Sequence, residues 1–474
     1  MSHLNAGSPL SRITRKTEEF WNGRLYFPVM LAVTAISMLT DNVVPSTVLL
    51  VLLCGWMLVF CRDILAAALP FLLIFLLSTL QYDNLAVFLP CAPLAVVPIG
   101  GLLVHLLRWR TPFSVGSCTA GLAAVAAATL LGGLGSISAG EYFSPLAIYY
   151  TLGLGLGLLV TYLLLRSELE MPRSYDLLER LMQMLYTMGL AMVLALACFY
   201  ADHWDLFTAK WEIPPIPYRN FTATILVSTL PSAFFMVRRS RWYLAAVLLW
   251  VAALFFSGSR TALLFGGVML LLGMAYLVCK KILPLWALFV ILAAAAAIAL
   301  LLGQQLHELF FGSRGDADAI VEPNERRWSL LARAWEDFYR HPLLGIGLGS
   351  QKNTDLFTGV PGSMVFYHNA VAQVLGSMGL AGAAAYGLLL VRRVRLLLRG
   401  GDACLMIGMF YLGMLLVSMT NPGLFCPLPN AALTVLAFAV LEKCVGSPAR
   451  PLFREKNNVK SIPIGGCFFR FYLV

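Results

Sequence analysis

Apolar runs of roughly 17–25 residues recur along almost the whole chain, and that is the length at which an α-helix crosses the hydrocarbon core of a bilayer. Inside lipid every backbone N–H and C=O must be satisfied within its own segment, which leaves helix as the conformation for such runs. Fourteen spans are read, at about 24–40, 43–60, 62–80, 85–107, 118–135, 142–165, 181–200, 220–237, 242–256, 260–279, 282–302, 365–390, 403–420 and 430–444. Composition agrees. The chain is 59% hydrophobic and 12% charged, with mean hydropathy +0.80, against roughly 45–50% and about 25% in soluble globular proteins. The expected fold is all-α: a polytopic transmembrane helix bundle of about 12–14 spans with a large extracytoplasmic loop containing amphipathic helices. The first apolar run outlasts a signal-peptide core and shows no clear small-residue cleavage site, so it is read as a retained signal anchor.

Charge orders the spans. Arg108 to Arg110, Arg166 to Arg180, Arg238 to Arg241, Lys280-Lys281 and Arg392 to Arg399 occupy alternate connections. They fall on one side together with both termini. Of the 34 Lys and Arg residues, only Lys210, Arg219, Arg260, Arg314, Arg326, Arg327, Arg333, Arg340 and Lys352 fall on the other. The positive-inside bias then assigns both termini to the cytoplasm of a multi-pass inner-membrane protein. Topology accounts for the net charge of +10 without a nucleic-acid partner. The basic tail from Arg450 to Val474 would lie on the anionic inner leaflet or remain disordered. The organisation expected is N-terminal helices (1–181), central helices with a Ser-Arg motif (182–302), an extracytoplasmic loop (303–364), C-terminal helices (365–445) and a cytoplasmic tail (446–474). The ten cysteines sit mostly in apolar runs or at basic edges, and show neither a disulfide framework nor a zinc pattern.

Two segments face outward in this arrangement. The smaller, near 202–219, holds Trp204, Trp211 and three prolines. The larger holds an amphipathic helical pattern in which Trp328, Leu331, Trp335 and Phe338 share one face, as suits a helix at the membrane interface. Pro342 and Gly345-Ile-Gly-Leu-Gly349 end that helix. The glycine run has no preceding strand and lacks dinucleotide-fingerprint spacing, so nucleotide binding is rejected. The glycines of Gly132-Gly-Leu-Gly135 and Gly153-Leu-Gly-Leu-Gly157 are read as allowing close helix packing.

Polar residues at the outer mouths of spans are the candidates for chemistry. Arg260 opens a span in Ser257-Gly-Ser-Arg260, where snorkelling to headgroups competes with anion binding inside the bundle. A guanidinium fits phosphate bidentately and keeps its charge at any relevant pH. Arg219 lies at equivalent depth, and Arg326 and Arg327 begin the loop helix. His368, flanked by Tyr367 and Asn369, starts an outer-facing span. Imidazole titrates near neutrality and could take a proton from a sugar hydroxyl. Clustered arginines would hold a diphosphate and neutralise the charge that develops as it departs.

These residues resemble the O-antigen ligase and O-antigen polymerase superfamily of bacterial membrane glycosyltransferases, most strongly from about Asn220 to Tyr386. The likeness rests on Ser259-Arg260, then a large outer loop opening with Arg327 and an amphipathic helix, then Pro342-Leu-Leu-Gly-Ile-Gly-Leu-Gly349, then His368-Asn369 and Gly376-Ser-Met-Gly-Leu-Ala-Gly382. The resemblance implies a glycan donor on undecaprenyl diphosphate and inverting transfer without metal or other cofactor. The acceptor would be a glycan or lipid. Arg260 and Arg327 match diphosphate-binding arginines, and His368 matches the essential histidine. Arg219, Arg326, Tyr367 and Asn369 complete the expected substrate-binding set. Membrane lipids and polysaccharide export machinery are the other expected partners. A transporter or lipid-glycan flippase is the competing class. It should show broken or polar helices near midplane and an internal repeat; no convincing repeat is seen.

Overall fold

The computed structural model describes residues 9–80, 82–109, 113–134, 150–205, 219–286, 318–348, 367–421, 423–425, 428–446 and 450–451, with single positions at 148 and between 289 and 303. Its helices are α1 (Pro9–Asn22), α2 (Tyr26–Thr40), α3 (Val43–Phe60), α4 (Leu65–Leu80), α5 (Val96–Trp109), α6 (Thr119–Ala128), α7 (Leu158–Glu168), α8 (Leu177–Asp202), α9 (Arg219–Val237), α10 (Tyr243–Phe256), α11 (Arg260–Cys279), α12 (Asp318–Arg340), α13 (Ala370–Leu397), α14 (Asp402–Ser418) and α15 (Leu428–Cys444). The apolar runs read from the sequence overlap these helices, save that the run at 282–302 lies largely outside the described residues and the first part of the run at 142–165 lies outside them too. Among the described residues six helices are long and apolar enough to cross a membrane one by one, and seven if the bent α1–α2 pair counts as one span. Length alone therefore gives fewer spans than the sequence reading, because several runs are broken into shorter pieces. The run at 85–107 begins as a 3₁₀ segment, Tyr82–Ala95, and the run at 118–135 ends in a π-helical turn, Thr129–Gly133. The β structure among the described residues is one antiparallel pair, Ser114–Val115 with Arg450–Pro451.

The bundle is built around α9. Every residue from Thr222 to Val237 is buried, although five of them carry hydroxyls. Four of those hydroxyls, all but that of Thr222, are satisfied within the helix. Thr224, Ser228 and Thr229 donate to the carbonyls of Asn220, Ser228's own partner Thr224, and Ile225 at 2.8, 2.7 and 2.7 Å. Back-bonding of this kind lets a polar helix sit among apolar ones. Helices α8, α10, α11 and α14 pack around it, and Gly189 and Gly273 make room for Trp250 and Phe234.

Ion pairs gather the basic connections at one end. Arg108 donates to the Val59 carbonyl at 2.8 Å, Arg173 pairs with Asp63 at 2.9 Å, and Asp402 takes both Arg238 and Lys280. Glu442, fully buried, receives the backbone N–H of Ser117 and Cys118, the Tyr162 hydroxyl and the Arg166 guanidinium. The alternate connections that carry most of the basic residues thus converge, as the charge pattern requires. The opposite end is joined by different contacts. Tyr200 at the end of α8 donates to the Phe256 carbonyl at 2.7 Å, and Thr420 after α14 meets Thr261 of α11 at 3.3 Å.

Candidate active site

At that second end, α11 begins with Ser259 as its N-cap, the hydroxyl accepting from Ala262 N–H, and Arg260 as its exposed first residue. Helix α13 begins with Asn369 as its N-cap, accepting from the N–H groups of Val371 and Ala372 at 2.9 and 3.0 Å. His368 immediately before it has φ +53°, a left-handed conformation uncommon for non-glycine residues and worth finding beside a functional side chain.

Helix α12 packs against α13. Its bundle-facing stripe is Leu330, Ala334 and Asp337, all buried. The aromatic stripe read from the sequence points away from the bundle, with Trp328 71% and Trp335 52% exposed, as an interface helix would present it. Asp337 anchors the histidine loop: the Tyr367 hydroxyl donates to its Oδ2 at 2.6 Å, while Tyr367 N–H is received by Gln373 Oε1.

The glycine run has a structural task. At Gly379 (φ +58°, ψ −151°) α13 is broken, so backbone groups on both sides lose helical partners. The loop after α12 supplies new ones. Ile346 and Gly347 N–H donate to the carbonyls of Gly376 and Ser377, both at 2.9 Å. Leu380 and Ala381 N–H donate to Pro342 and Leu343 carbonyls at 2.8 and 3.0 Å. A Cβ on Gly345 would stand 2.3 Å from the Ser377 carbonyl carbon, and one on Gly379 2.6 Å from Pro342 O. Two glycine motifs far apart in sequence are the two halves of one backbone dock. Gly132 and Gly133 close it from the π-helical turn after α6, against Leu344 and Leu348.

This dock brings the cations to the histidine. The Arg327 guanidinium is held below its ordinary range by burial and by the charge of Arg260. Burial pushes the His368 imidazole down to about 4, and the positive charge of Arg327 adds to that, with a hydrogen bond to the Asn421 side chain acting in the other direction. The imidazole is therefore neutral at pH 7, with a lone pair available as a base. Arg260, Arg327 and His368 come from three separate elements, and Arg327 links them, lying within electrostatic reach of Arg260 on one side and of His368 on the other. Arg219 opens α9 at the same end with an exposed side chain, and Arg326 lies in α12 with its side chain outside the described positions. Tyr367 and Asn369, expected to bind substrate, have polar atoms engaged with the protein instead: Tyr367 with Asp337, Asn369 in its cap and with the Met419 carbonyl at 2.9 Å.

Two features correct the sequence reading, which does not single out Asn421 and takes the chain to lack an Asp-x-Asp pair, a ground for setting metal-dependent transfer aside. Asn421, 4% exposed, reaches His368 from beyond α14; its only sequence signal is a polar residue in the short break Thr420-Asn421-Pro422-Gly423. The loop also carries an Asp-x-Asp pair, Asp316-Ala317-Asp318, the kind of carboxylate spacing that can hold a metal. Asp318 is the first residue of α12 and Asp316 lies outside the described residues.

No curated protein and no solved structure matches the chain. Residues 244–387, which contain Arg260, Arg327, the backbone dock and His368, match the family model described as O-antigen ligase. Over that stretch the chain is similar to O-antigen ligases, which supports the O-antigen ligase/polymerase superfamily and, in general terms, glycan transfer of that type.

Proposed function

We propose that the protein transfers or polymerises glycans from an undecaprenyl-diphosphate-linked donor onto a glycan or lipid acceptor at the outer face of the cytoplasmic membrane. The product would enter a surface polysaccharide. The single observation that carries this reading is the gathering of two guanidiniums beside an uncharged imidazole at the end of the bundle away from the basic connections. By the positive-inside bias that end faces outward and both termini face the cytoplasm.

In this mechanism Arg260 and Arg327 grip the donor diphosphate, with Arg219 and Arg326 as further cationic contacts. His368 accepts the proton of the acceptor hydroxyl as its oxygen forms a bond to the anomeric carbon. The anomeric carbon–oxygen bond to diphosphate breaks on the opposite face, so configuration inverts. Negative charge grows on the departing diphosphate where the guanidiniums already stand, and such preorganised stabilisation is often the largest catalytic contribution. Tyr367, Asp337 and Asn369 act by holding the histidine loop against α12.

His368→Ala and Arg260→Ala should each abolish transfer in purified protein supplied with lipid-linked donor, while insertion and accumulation stay normal. Full activity in either variant would remove that residue from the mechanism.

A further inference from the structure

Met419, Thr420 and Asn421 close α14, and each reaches a different part of the site. The Met419 carbonyl receives Asn369 Nδ2 at 2.9 Å, one residue from the imidazole. The Thr420 hydroxyl meets that of Thr261 at 3.3 Å, one residue from Arg260. The Asn421 side chain lies within hydrogen-bonding reach of His368 itself. The turn is internally tied: Asn421 N–H donates to the Val417 carbonyl at 3.0 Å, and Leu424 N–H to the Ser418 hydroxyl at 3.1 Å. Asn421 is buried, and its Nδ2 finds no acceptor among the described residues.

A neutral imidazole has one N–H and one lone pair, and the partner of one nitrogen decides which is which. An amide carbonyl can only accept. Facing the ring, it holds the proton on the nitrogen it touches and leaves the lone pair on the other. We propose that Asn421 is a positioning residue that fixes the tautomer and orientation of His368, and that the Met419–Asn421 turn keeps the histidine in register with Arg260. This rests on His368 being the base. The turn lies outside residues 244–387, so the family match does not assign it.

The groups around the ring make the idea testable by pH. Arg327 faces it from α12, with Arg260 behind from α11. Helix α13 contributes the neutral Asn369 and Gln373, and the Asp337 carboxylate accepts from Tyr367. In Asn421→Asp a carboxylate of the same shape replaces the amide, and an opposite charge at this range favours imidazolium.

The full-length protein in detergent is treated with diethyl pyrocarbonate across a pH series, and carbethoxylation of His368 is followed by peptide mass spectrometry. This reads the imidazole without requiring transfer. The midpoint should rise by about one pH unit or more in Asn421→Asp. In transfer assays Asn421→Ala should lower kcat by roughly ten- to a thousand-fold with KM little changed, as loss of a tautomer-fixing partner does. Asn421→Asp, which keeps an acceptor on the ring, should recover part of that loss. An unmoved midpoint in Asn421→Asp, or an unchanged kcat in Asn421→Ala, overturns the assignment. A wild-type protein without transfer activity sinks the functional reading instead, and the midpoint shift still decides this one.

Discussion

Replacing Gly379 with alanine should undock the outer loop from α13 and silence the site without touching a charged residue. The backbone at 379 (φ +58°, ψ −151°) lies in a region essentially reserved for glycine, where a side chain costs about 1–3 kcal/mol. The new methyl would also fall 2.6 Å from both Leu343 C and Pro342 O, which are backbone atoms with nowhere to move. Relief requires the loop to retreat, and four hydrogen bonds go with it: two into the Gly376 and Ser377 carbonyls and two out of Leu380 and Ala381. At about 0.5–1.5 kcal/mol net for each bond, the four bonds come to about 2–6 kcal/mol, and with the backbone strain the combined effect is on the order of 3–9 kcal/mol, a strong bias toward the undocked loop. Glycan transfer should fall at least about a hundredfold, since about 1.4 kcal/mol corresponds to a factor of ten. Hydrogen exchange at Ile346, Gly347, Leu380 and Ala381 should accelerate together. Gly387→Ala on the same helix is the control, because a Cβ there meets nothing within 4 Å. Wild-type transfer and unchanged amide protection in Gly379→Ala would refute the dock as the element that holds Arg327 to His368.

Three further outcomes are expected. The acid limb of kcat/KM should lie near 4 instead of the ordinary imidazole value of 6.5, and the limb of kcat should lie higher, because bound diphosphate cancels the arginine field; coincident limbs at 6.5 would count against the burial argument. The same shift has a stability sign: the unfolded imidazole binds protons more readily than the folded one, so His368 costs stability progressively as pH falls from about 6.5 to about 4. Chelation with EDTA, and Asp318→Ala, should leave transfer intact, whereas activity lost to EDTA and restored by a divalent cation would make the Asp316–Asp318 pair a metal site. Glu442→Gln should cut accumulation in the membrane, because it removes one of the two carboxylates that balance the fully buried Arg166 and leaves Glu170 alone to do so; breaking a buried pair costs up to about 3–5 kcal/mol, while whatever folds keeps wild-type KM.

Much of the helix layout was legible because lipid imposes a length and a polarity that no tertiary contact can override. The runs at 43–60 and 260–279 match α3 and α11 residue for residue. The candidate site residues stood out for a related reason: a polar side chain at the mouth of a span, as at Arg260 and His368, is conspicuous against its surroundings, and Arg327 marks the start of the amphipathic pattern in the loop. What pairs with what was not legible. The glycine run after Pro342 could be recognised as a turn, but nothing in its spacing names Gly376–Gly379 as its receptor. Asn421 was invisible for the same reason, being one polar residue in a break between spans with its partner 53 positions earlier in the chain. Helix α1 was missed because its pattern is amphipathic and basic; only packing shows Thr14, Thr17 and Trp21 buried beneath it.

The electrostatics of the second end argue for an anionic ligand on energetic grounds. Two guanidiniums near enough for Arg260 to depress Arg327 repel each other, and burial of Arg327 adds a desolvation cost. The fold accepts both and also holds His368 in a left-handed backbone conformation beside them. Strain of this kind persists only where the surroundings over-determine it, and here the surroundings are the Asp337–Tyr367 hydrogen bond, the Asn369 cap and the glycine dock. A diphosphate entering between the arginines would convert their repulsion into attraction. It would also raise the basicity of His368 at the moment an acceptor hydroxyl must give up its proton. The empty site is then least basic, and the loaded site most so. Donor occupancy would thereby switch on the base, and hydroxyls arriving before the donor, water included, would meet an imidazole too weakly basic to activate them.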